Sequence, residues 1–264
     1  MSSHFGIHAG ALAKIRGISH DASAAEKFFD KFVTSIGGTK IDSARTLTGG
    51  LVGGADYLFQ NRIIGELKIL EKDKWDEYNQ KMDHLFAKYQ ADGSMRPEID
   101  REKTCLDDPN IPDAMRAEWS SILLKQIRSI FREADRQIAH TKTLVPHAKG
   151  ILLLLNIRNR LHAEPSRLLW LVRDNILSGA SYSNIEAWAY FSLPVPELMS
   201  AGVNQSIFWG HFTGAENETL EGWKDQDLFM KCRGLREQWY DFLERELGLP
   251  INVIPDSEIQ WPKP

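Results

Sequence analysis

Residues 55–70, ADYLFQNRIIGELKIL, decide the fold of this chain and point to its chemistry. Two apolar runs, ADYLF and IIGELKIL, flank the polar tripeptide QNR, which is a short segment suited to a hairpin turn. We therefore predict two antiparallel strands joined by a turn centred on Asn61. In that register Asp56 lies directly opposite Glu66, with Cβ atoms about 5 Å apart.

Three ionisable side chains converge in this hairpin. Lys68 lies two residues after Glu66 and therefore points to the same face of its strand. Apolar residues occupy both odd-numbered and even-numbered positions of that strand, which predicts that both of its faces are buried. Two opposed carboxylates repel each other, and burial makes their ionised forms costlier still.

A divalent cation would offset this repulsion. Two carboxylates that leave positions open for water and a phosphate suit Mg²⁺ or Mn²⁺. The sequence therefore predicts a metal site formed by Asp56 and Glu66, with Lys68 beside it. The competing interpretation is a solvated strand face on which a Glu–Lys pair has little energetic consequence.

The composition is that of a folded chain without a membrane span. Its 264 residues are 42% hydrophobic and 26% charged, which is enough for a large core, and we expect a single domain over residues 1–264. No window approaches the roughly 18 to 20 apolar residues of a membrane span, and residues 1–17 lack the pattern of a secretory signal. Cys105 and Cys232 lie far apart without CxxC spacing, so we expect a cytoplasmic protein without disulfides or a zinc knuckle.

The rest of the chain alternates between helical and strand patterns. Apolar periodicity, capping residues and Gly or Pro stops predict the following helices: 21–36, 113–142, 165–178 and 225–247. Residues 72–90 are polar and compatible with a helix. Apolar runs bounded by turn residues predict two strands within 46–59 and single strands at the following positions: 62–70, 149–156, 185–193 and 205–213. This order predicts an α/β fold with a mixed central sheet flanked by helices, and an insertion at about 71–113.

The charges are unevenly distributed along the chain. The net charge is −4, yet residues 114–173 hold 11 Lys and Arg against 4 Asp and Glu. On the helix predicted at 113–142, four basic residues share one side: Lys125, Arg128, Arg132 and Arg136. Together with Arg158 and Arg160 they form a candidate surface for nucleic-acid phosphates, although a solvated helix face explains the helical stripe equally well.

The motif of Asp56, nine further residues and then Glu66-Leu67-Lys68 resembles the PD-(D/E)XK nuclease superfamily, which has the restriction-endonuclease-like fold. The core of that family runs helix, three strands, helix, strand, with the Asp on the second strand and E-x-K on the third. The likeness covers residues 20–160 in element order and only the short motif in residues. One departure is Ala55, where the family's nominal residue is Pro.

The resemblance implies an αβββαβ core with C-terminal extensions to about residue 247. It also implies that Asp56 and Glu66 are ligands of Mg²⁺ or Mn²⁺, and that Lys68 orients or activates the attacking water. Some members carry a Glu on the first helix of the core, for which Glu26 is the candidate. Others carry a Gln on the helix after the motif, which points to Gln137.

The function expected from this resemblance is a Mg²⁺-dependent nuclease that acts on DNA rather than RNA. Its partner is then nucleic acid and not a membrane, and a homodimer fits because duplex cleavage by this fold often needs two active sites. Two alternatives stay open. One is a non-catalytic module on the same fold that binds nucleic acid or a protein, and the other is an unrelated α/β interaction domain.

Overall fold

The protein folds into one mixed sheet with helices on both faces. The computed structural model describes the following residues: 9–41, 54–60, 62–104, 106, 108–163, 168, 169, 172, 182–193, 208–212 and 225–248. The helices with bounds in this part of the chain are the following: α1 Ala9–Ile18, α2 Ala22–Ser35, α3 Trp75–Ala91, α4 Asp113–Lys142 and α5 Gln226–Leu247. The strands are the following: β1 Thr39–Lys40, β2 Tyr57–Phe59, β3 Ile63–Leu70, β4 Lys149–Asn156, β5 Ala187–Ser192 and β6 Phe208–Phe212.

The six strands lie in the sheet in the order in which they occur along the chain. Strands β1, β2 and β3 form an antiparallel meander. Strand β4 then runs parallel to β3, β5 runs parallel to β4, and β6 returns antiparallel to β5. The α/β class and the mixed sheet flanked by helices are therefore confirmed.

The hairpin register is the one predicted from the turn. Tyr57 pairs with Gly65 and Phe59 pairs with Ile63, so the pairing is centred on residue 61. A Cβ atom added at Gly65 would lie only 2.7 Å from the ring of Phe59, so the structure has no room for a larger residue there. The Phe59 ring therefore packs directly over the β3 backbone beside Glu66.

The two larger hydrophobic clusters of the described residues cover the two faces of the sheet. The first packs α2 and α5 against one face, and Trp239 at its centre contacts the rings of Phe29, Phe32 and Phe191. The second packs α3 and α4 against the other face, as shown by the burial of Leu70 together with residues of these helices. Odd-numbered residues of β3 belong to the first core, and Leu70 of the even-numbered set belongs to the second, so Glu66 and Lys68 project toward the α4 side.

Local sequence signals explain the elements that support the site. Helix α2 begins where the Asp21 carboxylate accepts a hydrogen bond from the Ala24 backbone N–H at 2.8 Å, and it is followed by Gly37 with φ of +75°. Helix α4 and strand β4 have the predicted bounds of 113–142 and 149–156. Every residue of β4 after Lys149 is buried, as expected for a central strand between two parallel neighbours.

Other predictions are met in part or lie outside the described residues. The strand pairing with β2 is β1 at Thr39–Lys40, whereas most of the sequence expected to hold the first strand, residues 46–53, lies outside the described residues. Most of the helix predicted at 165–178 also lies outside them, although Leu168, Leu169 and Val172 are helical and buried. Helix α1 was not predicted.

The segment at 71–113 contains more regular structure at its start than at its end. Helix α3 fills residues 75–91, close to the helical stretch expected at 72–90. Among the described residues between Ala91 and Asp113, the chain is loop with one short 3₁₀ turn at Arg101–Lys103. Among the helices in the described part of the chain, none is long and apolar enough to cross a membrane.

Candidate active site

Asp56 lies at the start of the hairpin, one residue before β2. Continuing the observed register by one residue puts it opposite Glu66. Its Oδ2 atom accepts a hydrogen bond of 2.8 Å from the backbone N–H of Leu67, which lies between Glu66 and Lys68. This bond fixes the Asp56 side chain against β3 and brings its charge to the Glu66 carboxylate.

Glu66 is a buried carboxylate with one oxygen lacking a partner. Only 1% of the residue is exposed, because β3 lies inside the sheet and Glu66 pairs with the fully buried Leu152 of β4. Its Oε2 atom has no hydrogen-bond partner. Burial and the nearby Asp56 charge raise the pKa of Glu66 to about 8, although Lys68 acts to lower it.

Lys68 joins β3 to helix α4. Its Nζ atom lies 2.9 Å from Glu66 Oε1, 3.0 Å from Glu133 Oε1 and 2.9 Å from Gln137 Oε1. Burial acts to lower the pKa of Lys68, but the carboxylates of Glu66 and Glu133 outweigh it, so the pKa lies above its usual value. The side chain is therefore an ammonium group held in place by acceptors from two elements.

Helix α4 also holds the segment that carries Asp56. The backbone N–H of Ala55 donates a buried hydrogen bond of 2.7 Å to Thr141 Oγ1. Thr141 Oγ1 in turn donates to the carbonyl oxygen of Gln137 at 3.1 Å. A proline at position 55 has no N–H and could not make this bond. Ala55 therefore makes a specific contact with α4 that a proline could not make.

Of the predicted site residues, Asp56, Glu66, Lys68 and Gln137 are brought together. Glu26 is engaged elsewhere: it lies on α2, which packs against the opposite face of the sheet. Its carboxylate accepts from Lys40 Nζ at 2.7 Å. Glu26 does not reach the site because it lies on the same side of α2 as Asp30, which also pairs with Lys40.

The predicted phosphate-binding residues fall into two groups. Arg158 donates to the backbone carbonyl of His20 at 2.9 Å, and Arg160 pairs with Asp73, so both tie the end of β4 to neighbouring loops. On α4, Lys125, Arg132 and Arg136 are exposed and Arg128 is half-buried. The exposed helical cations remain candidates for phosphate contact, whereas the two arginines after β4 already have partners within the protein.

The donor set fits a hard divalent cation. Asp56 and Glu66 supply carboxylate oxygens, and the buried Glu66 Oε2 atom has no hydrogen bond. In the portion of the chain that the structure describes, no group of three or more His, Cys, Asp or Glu side chains is arranged to hold a metal ion. A two-carboxylate site that leaves its other positions to water and phosphate oxygens is the arrangement that Mg²⁺ commonly has in proteins.

Two residues of the site were missed by sequence reasoning. Glu133 lies one helical turn before Gln137, the residue to which the resemblance pointed, so the residues on the same side of that helix would have included it. Thr141 lies one helical turn after Gln137, but its contact with Ala55, 86 residues earlier in the sequence, depends on the packing of α4 against the hairpin.

The chain matches no protein-family model, no curated protein and no solved structure.

Proposed function

We propose that this protein is a nuclease that uses Mg²⁺ or Mn²⁺ to hydrolyse phosphodiester bonds, with DNA as its substrate rather than RNA. The observation that carries the proposal is the convergence of Asp56, Glu66 and Lys68 at one point of the sheet. Glu66 is buried, and one of its carboxylate oxygens has no hydrogen-bond partner. Burying an ionised carboxylate in this way destabilises the fold unless a cation binds to it. Perturbed ionisable groups that cluster in this way are typical of active sites.

The element order supports a restriction-endonuclease-like αβββαβ core. Helix α2 precedes the meander of β1, β2 and β3, and α4 then leads into β4, which runs parallel to β3. Helix α3 lies between β3 and α4 as part of an insertion. Glu66 and Lys68 lie on the third of these strands, as in the family, whereas Asp56 lies one residue before the second strand and not on it.

Each residue of the site has a defined task in the proposed reaction. Asp56 and Glu66 hold the cation. The three N–H groups of Lys68 now contact Glu66, Glu133 and Gln137, and one of them would leave its acceptor and donate instead to the attacking water or to a non-bridging phosphate oxygen, where negative charge develops in the transition state. Gln137 and Glu133 accept from the same ammonium group and so restrict its orientation.

A cation held by Asp56 and Glu66 would supply Lewis-acid polarisation of the phosphate. Phosphate charge is also met by the cations on α4, of which Lys125, Arg132 and Arg136 are exposed. This positive surface on an otherwise acidic protein favours a polyanionic substrate over a neutral one.

The direct test is cleavage by the purified protein. Supercoiled plasmid, circular single-stranded DNA and a structured RNA are each incubated with Mg²⁺, with Mn²⁺ and with EDTA. We expect DNA cleavage with either metal and none with EDTA. Absence of metal-dependent cleavage of both DNA substrates would overturn the proposal, and absence of cleavage of all three substrates would favour a non-catalytic module.

Thr141 is expected to act as a positioning residue for Asp56. Thr141→Val keeps the shape of the side chain but removes the acceptor for the Ala55 N–H, so the segment before Asp56 loosens. We expect kcat for DNA cleavage to fall about tenfold or more with little change in KM, since small misplacements of reacting groups have effects of this size.

Thr141→Ser is the matched control for this prediction, because it keeps the hydroxyl. Both variants are assayed well below their unfolding temperatures, since the orphaned Ala55 N–H costs about 1–3 kcal/mol of stability. Equal kcat values for the valine and serine variants would show that the hydroxyl does not position Asp56.

A further inference from the structure

A cleft of about 470 Å³ opens beside Lys68, between β3 and helices α3 and α4. We name it the lysine cleft and define it by six of its lining residues: Lys68, Lys74, Lys81, Ile122, Lys125 and Ile130. Its volume falls within the roughly 300–1,000 Å³ of pockets that hold small ligands in other proteins. The cleft is large enough for one nucleotide.

The cleft leads directly to the candidate active site. On α4, its lining residues Ile122, Gln126 and Ile130 follow one another at intervals of one helical turn. Continuing along the same side of the helix gives Glu133 and Gln137, which both contact Lys68. A strand lying in the cleft along α4 would therefore reach Lys68 at the end nearer the C-terminus of the helix.

The lining of the cleft is strongly positive. Four lysines meet there, and Glu77 is the one carboxylate among its described lining residues. Glu77 already forms an ion pair with Lys81, one turn along α3. Lys74 and Lys125 are exposed, and within the described residues neither forms an ion pair. Two cations at the mouth of the cleft are thus available to an anion.

The cleft also has an apolar wall. Ile122 and Ile130 are only partly buried where they pack against the core between α3 and α4. Tyr78 of α3 completes this wall. A phosphate group gains nothing from contact with an apolar wall. A nucleotide combines an anionic phosphate with a flat, largely apolar base, and so matches both parts of the cleft.

We propose that the lysine cleft binds one unpaired nucleotide of the substrate strand, with its phosphates at Lys74 and Lys125 and its base against Ile122 and Ile130. Bases in a duplex are stacked and cannot present their faces to a wall of this kind, whereas unpaired bases can. The protein therefore prefers single-stranded DNA or a single-stranded segment to a duplex. This inference rests on the proposed function for the chemical nature of its ligand.

The test measures binding in the absence of cleavage. A short fluorescein-labelled oligothymidylate is titrated with the wild-type protein in EDTA, and anisotropy is followed over a series of salt concentrations. We expect Lys74→Ala/Lys125→Ala to weaken binding about tenfold at low salt and to reduce the magnitude of the slope of log K against log salt by about 1.4, the contribution of two phosphate contacts on a single strand.

The matched control is Lys27→Ala/Lys31→Ala, which removes two exposed lysines from α2 on the opposite side of the sheet. It has the same change in net charge and is expected to bind like the wild type. Two further probes are a duplex of the same length and an abasic oligonucleotide, and both are expected to bind more weakly than the oligothymidylate. Equal loss in the two double variants, or equal binding of the duplex or abasic probe, would overturn the proposal.

The binding and cleavage experiments can overturn the cleft proposal and the nuclease proposal separately. If oligothymidylate binding depends on Lys74 and Lys125 but no metal-dependent cleavage is found, the lysine cleft stands and the nuclease proposal falls. If the protein cleaves DNA and the Lys74→Ala/Lys125→Ala variant binds and cleaves like the wild type, the nuclease stands and the cleft proposal falls.

Discussion

Lys68→Ala and Asp56→Asn are each expected to reduce metal-dependent DNA cleavage by at least about 10²-fold, the effect of removing one preorganised group that stabilises developing charge. Lys68 is fixed by acceptors at 2.9–3.0 Å on β3 and α4, so no neighbouring cation can take its position without rearrangement. Asp56→Asn keeps the size of the side chain and an oxygen for the Leu67 N–H, but removes the charge that holds the cation.

Both substitutions are expected to leave the fold intact, because neither residue belongs to the hydrophobic core. Initial rates on plasmid and on single-stranded DNA are compared with those of Lys31→Ala and Asp241→Asn, which change exposed residues on the opposite side of the sheet. All four proteins are purified in parallel, so that a contaminating nuclease affects them equally. Cleavage at wild-type rate by either site variant would remove that residue from the proposed mechanism.

Glu66→Gln is expected to stabilise the metal-free protein while abolishing cleavage. Burial and the nearby Asp56 charge raise the pKa of Glu66 to about 8, well above its value in an unfolded chain. Below about pH 4.5 the Glu66 carboxyl group is neutral in both the folded and the unfolded state, so its ionisation does not reduce the free energy of unfolding. As the pH rises toward 8, the unfolded state releases its proton first, so the stability of the wild type falls relative to that of the glutamine variant.

The expected gain in free energy of unfolding for Glu66→Gln grows through this range to at most about 5 kcal/mol above pH 8. Urea unfolding in EDTA between pH 5 and pH 9 measures it. Glu133→Gln is the control, because Glu133 also contacts Lys68 but its side chain is half-exposed, so the change is expected to stay within about 1 kcal/mol. A gain that does not increase with pH would contradict the assignment of Glu66 as a buried, strained carboxylate.

Saturating Mn²⁺ is expected to reduce this difference in stability between the wild type and Glu66→Gln. A ligand that binds only the folded state at 100 times its Kd adds about 2.7 kcal/mol, and the variant without the Glu66 carboxylate loses most of that gain. The same substitution therefore separates the stability cost of the site from its use in binding the cation.

The hairpin that carries the site could be read from the sequence because local rules determine it. A short polar turn between two apolar runs leaves few registers, and the alternation of side chains then decides which residues meet. The bounds of α4 and β4 were equally accessible, since a long apolar periodicity and a five-residue apolar run are strong local signals.

Contacts between distant elements could not be read in the same way. The bond from Ala55 to Thr141 depends on how α4 crosses the hairpin, which no local pattern in the sequence records. Glu26 illustrates the same limit, because its helix was predicted correctly but the side of the sheet that this helix covers was not known.

The net charge of each sequence segment does not reveal the lysine cleft. Residues 71–113 are acidic on average, yet Lys74 and Lys81 lie two helical turns apart and face Lys125 across the cleft. A count over a segment sums residues from every side of a helix, whereas a ligand meets only one side. The basic stripe that was predicted on α4 contributes only Lys125 to this cleft among the residues the structure describes.

The central claim is that Asp56 and Glu66 together hold a divalent cation. Crystals grown with Mn²⁺ and measured at a wavelength where manganese scatters anomalously locate the ion directly. We predict an anomalous peak within coordination distance of a carboxylate oxygen of Asp56 and of the free Oε2 atom of Glu66, and its loss in Glu66→Gln crystals. A peak away from both side chains, or no peak at saturating Mn²⁺, would contradict the claim.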